Sequence, residues 1–155
     1  MKTLNIHRQP RMRRQRGIAA LEFALVSSLF FFTLLLGIME MGRVLFDMNT
    51  EAEATRLGAR VAVVCDINSS QSASNPVIAK MQQMLPIIQP ANVTVTYTPS
   101  GCDASSCTAV TVSVSNLTIS SILPFVSFQM PMPPFTTTLP RESLDSVNGT
   151  NPTCS

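Results

Sequence analysis

An apolar run from Ile18 to Met39, preceded by six cations and interrupted only by Glu22, constrains this chain more than any other feature. At 1.5 Å per residue a helix of that length spans roughly 30 Å, the hydrocarbon thickness of a bilayer. A cleaved secretory signal would have a shorter apolar stretch and end at a small-residue site. This run is longer, contains an acid, and exits into "GIMEMGRV" with no such site. The basic arm in front of it belongs on the cytoplasmic side, which sends the C-terminal part out.

The overall charge of +2 hides a split. Lys2, Arg8, Arg11, Arg13, Arg14 and Arg16 all precede Gly17 with no acid among them, whereas five basic and nine acidic residues follow it. Asymmetry of this kind marks a targeting arm or a charged tail. Nucleic-acid binding is disfavoured, because the arm runs directly into an apolar span and interleaves no aromatic residue. All four cysteines, Cys65, Cys102, Cys107 and Cys154, lie beyond the span. An even count in an oxidising compartment predicts two disulfides. Zinc is the weaker reading: there is no C-x-x-C, and the one histidine, His7, falls before the span.

Past the apolar run, "EMGRVLFDMNTEAEATRLGARVAVVC" (Glu40 to Cys65) keeps helical character without proline. Glu40 and Arg43, Arg43 and Asp47, and Glu53 and Arg56 are spaced to pair on one helix face. Val44, Met48, Ala52, Ala59 and Val63 supply an apolar stripe. An unbroken helix from Ile18 to Val64 would be about 70 Å long. Gly37, Gly42 and Gly58 weigh against it, each costing about 1 kcal/mol relative to alanine unless close packing requires it.

A polar loop, Asp66–Asn75, precedes a short helix predicted from Pro76 to Leu85, with Asn75 as its cap and Pro86 as its stop. "VTVTYT" (Val93–Thr98) and "TAVTVSV" (Thr108–Val114) both alternate with period two and predict a hairpin. Its loop carries Cys102 and Cys107, and a bridge there would staple the turn. That would leave Cys65 to pair with Cys154, one of three possible connectivities. "FTTTLP" (Phe135–Pro140) is a candidate third strand. The proline-rich apolar segment Ile122–Phe135 is expected to be irregular, covering the hairpin and completing the core; an exposed partner-binding surface is the alternative. The tail from Glu142 onward is expected to be loose until Cys154.

No constellation carries recognisable catalytic chemistry. There is no histidine beside a serine or cysteine, no phosphate-cradling glycine loop and no metal-ligand cluster. The expectation is a non-enzyme without cofactors. Four N-x-S/T sequons, at Asn68, Asn92, Asn116 and Asn148, are ordinary in so Ser/Thr-rich a chain.

The opening stretch, a basic arm ending in Gly17 followed by "IAALEF" and a long apolar run, resembles a prepilin leader. More specifically, "RRQRGIAALEFALVSSLFFFTLLLGIMEMGRVLF" resembles the TadE-like family of the tight-adherence (Tad, Flp-type) pilus systems. The resemblance rests on Arg16-Gly17, Glu22-Phe23, the apolar stretch and Gly37 to Arg43, and covers about the first 60 residues. Many members carry a proline where this sequence reads "VSSLFFF", which leaves open the subgroup, TadE or its TadF-like relative. The resemblance implies cleavage by a prepilin peptidase between Gly17 and Ile18. It also implies an assembly role for Glu22 and Phe23. Cleavage would leave Glu22 about 6 Å along the helix from a new, positively charged amine at Ile18. A carboxylate in lipid costs about 2.5–3.5 kcal/mol and seeks a partner. The Ile18 amine of a neighbouring subunit would be one, in a heterologous contact able to propagate.

The expected architecture is α+β: a long, pilin-like N-terminal transmembrane helix, then a small disulfide-stapled domain. That domain would hold a short helix and an antiparallel hairpin or three-stranded sheet. Residues 1–17 would be a cytoplasmic leader, 18–65 the transmembrane and extended helix, and 66–155 the extracytoplasmic domain. The implied role is a pseudopilin or minor pilin in the inner membrane, with its C-terminal domain in the periplasm. Implied partners are the peptidase, the main pilin, a sister pseudopilin and the inner-membrane platform. An uncleaved single-span anchor displaying a binding domain is the alternative.

Overall fold

The structure, a computed structural model, describes residues 15–123, 127–146 and 151–154. It is α+β. Helix α1 spans Gln15–Val64 and α2 spans Pro76–Met84; strands β1 (Val93–Thr98), β2 (Ala109–Val114), β3 (Thr118–Ser120), β4 (Gln129–Pro131) and β5 (Phe135–Pro140) follow. The chain forms two compact units, Met1–Met39 and Glu40–Ser155, and the C-terminal part of α1 belongs to the second.

In the first unit, helix formation needs no tertiary support. The run is rich in Leu, Ala and Phe and holds no proline. Thr33 returns its hydroxyl to the Leu29 carbonyl at 2.7 Å, so the helix satisfies its own polar groups. Gly37 and Gly42 are accommodated within α1.

In the second unit, α1 meets an antiparallel sheet ordered β1-β2-β5. The register pairs Val95 with Val112 and Val112 with Thr137. The alternation sends Val93 and Val95 of β1, and Val110, Val112 and Val114 of β2, into the core, with threonines on the outer face. Burying a valine or isoleucine side chain stabilises by about 1.5–3 kcal/mol. Val77, Ile78 and Met81 of α2 and Ala54, Ala59, Val61, Ala62 and Val63 of α1 join the same cluster. Gly58 belongs there for a steric reason: a Cβ on it would lie 2.5 Å from Met81 Sδ.

Helix α2 starts where Asn75 caps it, with Asn75 Oδ1 accepting from the Val77 N–H at 3.0 Å. The Asn75 amide donates to the carbonyls of Asn68 and Ser70, so this buried side chain also organises the polar loop. Leu85 is the C-cap rather than the last helical residue. In the β1–β2 loop, Asp103 accepts from the backbone and hydroxyls of Ser105 and Ser106, which holds its carboxyl well below the usual range.

Two segments differ from expectation. The proline-rich stretch is not wholly irregular: its Gln129–Pro131 pairs with Thr118–Ser120 as a separate two-stranded ribbon. The Met132 N–H donates to the Leu117 carbonyl and the Ser121 N–H to the Phe128 carbonyl. Pro131, opposite Thr118, therefore occupies a position that owes the ladder no N–H. Met132 is buried, whereas Ile122 and Phe128 are exposed; Pro124–Val126 lie outside the described residues. The first part of the tail, Glu142–Ser146, is also more ordered than expected. The N–H groups of Glu142 and Leu144 donate to Val63 O and that of Asp145 to Val64 O. Helices leave their last carbonyls without intrahelical partners, and this tail supplies them. Leu144, its one large apolar residue before Val147, is buried at a positive φ of 47°. Asp66 and Ser146 close the arrangement by exchanging bonds, Asp66 N–H to Ser146 Oγ and Ser146 N–H to Asp66 Oδ1.

Candidate functional site

Helix α1 places Gly17, Ile18, Glu22 and Phe23 within two turns. Ile18 is 60% and Phe23 75% exposed, and Glu22 is exposed as well. Ile18 and Glu22 are four residues apart and so share a face. Among the described residues no ion pair to Glu22 is formed. The geometry is that of a carboxylate offered outward beside Ile18, and nothing within the described chain neutralises it.

Gly17 contrasts with Gly58. Among the described residues, a Cβ on Gly17 would meet nothing within 4 Å. A glycine inside a helix costs about 1 kcal/mol relative to alanine, and packing among the described residues does not account for that cost at Gly17.

The helix from Gly17 is long and apolar enough to cross a membrane, and its most apolar window is fully exposed. The large side chains of Leu25, Val26, Leu29, Phe30 and Phe31 all stand outward. Phe31 and Phe32 meet edge to face with ring centroids 5.7 Å apart. An apolar surface of this extent is stable only against lipid or other apolar helices.

Beyond Met39 the character changes within one turn. Arg43 donates to Glu40 at 2.7 Å and to Asp47 at 3.2 Å. It also reaches the Ser120 carbonyl at 2.7 Å, tying α1 to the end of β3. Arg43 holds the Glu40 carboxyl below its ordinary range against the opposing effect of partial burial. The Ile122 N–H and the Ser121 hydroxyl add to the lowering.

The four cysteines form two bridges, Cys65–Cys154 and Cys102–Cys107. The first ties the residue after α1 to the C-terminal segment with Cα atoms 5.5 Å apart; the second closes the β1–β2 loop. With all four oxidised there is no free thiol. Among the described residues no group of three or more His, Cys, Asp or Glu is placed to hold a metal ion.

Sequence reasoning passed over Glu51. It is fully buried, and neither carboxylate oxygen has a hydrogen-bond partner among the described residues. Burial pushes its pKa up to about 7. Its one sequence signal is position: Glu51 lies seven residues after Val44, two helical turns along the same inward face.

Residues 17–60 match the model of a family described as TadE-like protein. No curated protein and no solved structure matches the chain.

Proposed function

We propose that this chain, TadE-like over residues 17–60, is a pseudopilin or minor pilin that a prepilin peptidase cuts between Gly17 and Ile18. The TadE-like match supports a component related to the Tad pilus, and the exposed apolar helix supports membrane anchoring. The single observation that carries the finer reading is local. The family match begins at Gly17, and four residues after Ile18 an exposed Glu22 has no ion-pair partner among the described residues.

The chemistry follows from those residues. Gly17 leaves room for a peptidase to close on the backbone. Hydrolysis of the Gly17–Ile18 amide frees a carboxylate on the leader and an ammonium on Ile18. Within one helix Glu22 lies about 6 Å along the axis from that ammonium. Between subunits the ammonium of one meets Glu22 of the next, and each charge removes the other's desolvation cost in lipid. The contact is head-to-side, so each subunit keeps one half free for a further neighbour. Phe23 stands beside it as an apolar packing surface.

In this reading the N-terminal arm is cytoplasmic, α1 crosses the inner membrane once, and the disulfide-bonded unit is periplasmic. The peptidase, the main pilin, a sister pseudopilin and the inner-membrane platform are its partners. The test is a pair of Glu22 variants scored for processing and for co-purification with the pilus machinery. Glu22→Gln and Glu22→Leu are expected to be cut normally yet lose association by tenfold or more, about 1.4 kcal/mol or above. Wild-type association of both would contradict the pairing.

A further inference from the structure

We infer that the three-stranded sheet continues from one copy of the chain to the next, the free edge of β5 in one copy pairing in parallel with the free edge of β1 in its neighbour. The occupant of each edge is thus a second copy, and the contact is head-to-tail, so it can repeat. The inference goes beyond the Glu22 pairing and rests on the proposed function only in taking both copies to be anchored in one membrane.

The order β1-β2-β5 makes β1 and β5 the edges of the sheet. Backbone groups alternate in direction along an antiparallel strand. At β1 the Ser115 N–H donates to the Asn92 carbonyl, whereas the Val93 carbonyl turns away from β2 and accepts from Gln71 Nε2 at 3.0 Å. Val95 and Tyr97 therefore also turn their N–H and C=O groups outward. Beside β5 the Arg141 N–H donates to the Thr108 carbonyl, so Thr136 and Thr138 are the residues whose backbone faces outward. Among the described residues nothing answers these outward groups. Exposed sheet edges are commonly blunted by charge, a bulge or a covering loop. Strand β5 carries no charge, and Thr136 and Thr138 are exposed.

The two edges fit each other in one register. Both β1 and β5 run antiparallel to β2 and so parallel to each other. A neighbour displaced across the sheet offers its β5 to β1 in the parallel sense, and every element keeps its direction, as two copies held in one membrane require. An antiparallel β5–β5 pair would instead turn one sheet about its normal and reverse its strands. With Thr137 of one copy beside Val95 of the next, the Val95 N–H reaches the Thr136 carbonyl, the Thr138 N–H the Val95 carbonyl, and the Tyr97 N–H the Thr138 carbonyl. The ladder stops where Gln71 already holds Val93 and where Pro140 has no N–H to give. On the outer face this register sets Thr138 beside Thr96. On the inner face it brings the half-buried Leu139 beside Tyr97. A groove of about 290 Å³, with Ile67, Val95 and Tyr97 in its lining, lies along that open part of β1. Strand addition of this kind takes its affinity from the main chain and its specificity from such side-chain pockets.

All four native cysteines are bridged, so introduced thiols report on the contact. Full-length Thr96→Cys and Thr138→Cys chains, carrying different tags, would be co-expressed and their membranes oxidised with copper phenanthroline. Within one chain these positions flank Thr111 of β2. Two strand spacings, about 10 Å, separate them, which is beyond disulfide reach. The expected result is a mixed dimer about tenfold or more above the background of either variant alone. A chain carrying both substitutions is expected to give a ladder of higher oligomers. Thr137→Cys is the opposing arm: a symmetric dimer from it alone would mean antiparallel β5–β5 pairing and would overturn the inference. No mixed dimer, from chains that still sediment with alkali-washed membranes, would overturn it too and leave the anchorage standing. Release of the chains by the alkali wash would overturn both. The mixed dimer is expected in a Glu22→Leu background as well, so loss of the Glu22 pairing and loss of the sheet contact are read separately.

Discussion

Arg43 and Ser120, 77 residues apart in sequence, meet where the Arg43 guanidinium donates to the Ser120 carbonyl at 2.7 Å. The same guanidinium pairs with Glu40 and Asp47 on its own helix. Two i,i+3/i+4 pairs thus do more than support a helix: they pre-set the donor that holds the β3–β4 ribbon. Removing it by Arg43→Met keeps the apolar stem and deletes the clasp. The Ser121 and Met132 amides are then expected to exchange with solvent about tenfold faster, while the β1–β2 amides are unchanged. Hydrogen exchange on the full chain in micelles checks this, and a uniform change across both sheets would contradict it.

Glu51 predicts an unusual pH profile. Its pKa is about 7 in the folded state, against 4.5 for a free carboxyl. A raised carboxyl pKa favours the folded state while the group is protonated. That stability is fully present below about pH 4.5, is lost between 4.5 and 7, and stays level above. The loss is about 3 kcal/mol. Glu40, Asp66 and Asp103 are shifted down, so their contributions disappear only in acid below the usual carboxylate range. Thermal unfolding of the full chain is therefore expected to show highest stability near pH 5. Glu51→Gln should match the wild type there and exceed it at pH 8.

The two glycines Gly42 and Gly58 are expected to respond to alanine with opposite signs. Nothing lies within 4 Å of a Cβ at Gly42, so Gly42→Ala is expected to stabilise by about 0.5–1 kcal/mol. At Gly58 the same change drives into Met81, which is fully buried and cannot swing out. Gly58→Ala is expected to cost about 1–3 kcal/mol despite the better helix propensity. Urea midpoints of the two variants decide it.

The bridges are expected to differ in weight. Cys65–Cys154 closes a sequence separation of 89 and Cys102–Cys107 one of 5. By loop-closure entropy the first contributes about 4–5 kcal/mol and the second about 2. Denaturant titration of the paired Cys→Ala variants measures both.

Much of this fold was legible because periodicity carried it. Val93, Val95, Val110, Val112 and Val114 alternate as a half-buried hairpin must, and all five are buried. Asn75-Pro76 announced α2, and "FTTTLP" the third strand. The β3–β4 ribbon was not legible, since three-residue strands are too short to show a period and Pro131 argued against pairing. The ordering of Glu142–Ser146 was hidden for another reason: it bonds to helix-end carbonyls, which leave no trace in side-chain pattern. Leu144 was the available clue. Glu51 was passed over because the Val44 face it continues also carries Thr55 and the small Ala54 and Gly58, so no apolar stripe marked that face as buried. The membrane-length run and the Gly17–Glu22 spacing were visible from the outset, because both are written in residue type and distance alone.

The central claim is that Gly17 and Ile18 mark a processing site. The most direct measurement is the mature N-terminus by mass spectrometry, for the full chain expressed with and without a prepilin peptidase, and with Gly17→Leu beside it. The account predicts an N-terminus at Ile18 only when the peptidase is present, and none at Ile18 in Gly17→Leu. An intact Met1 under every condition, or cleavage beyond Met39, would contradict it.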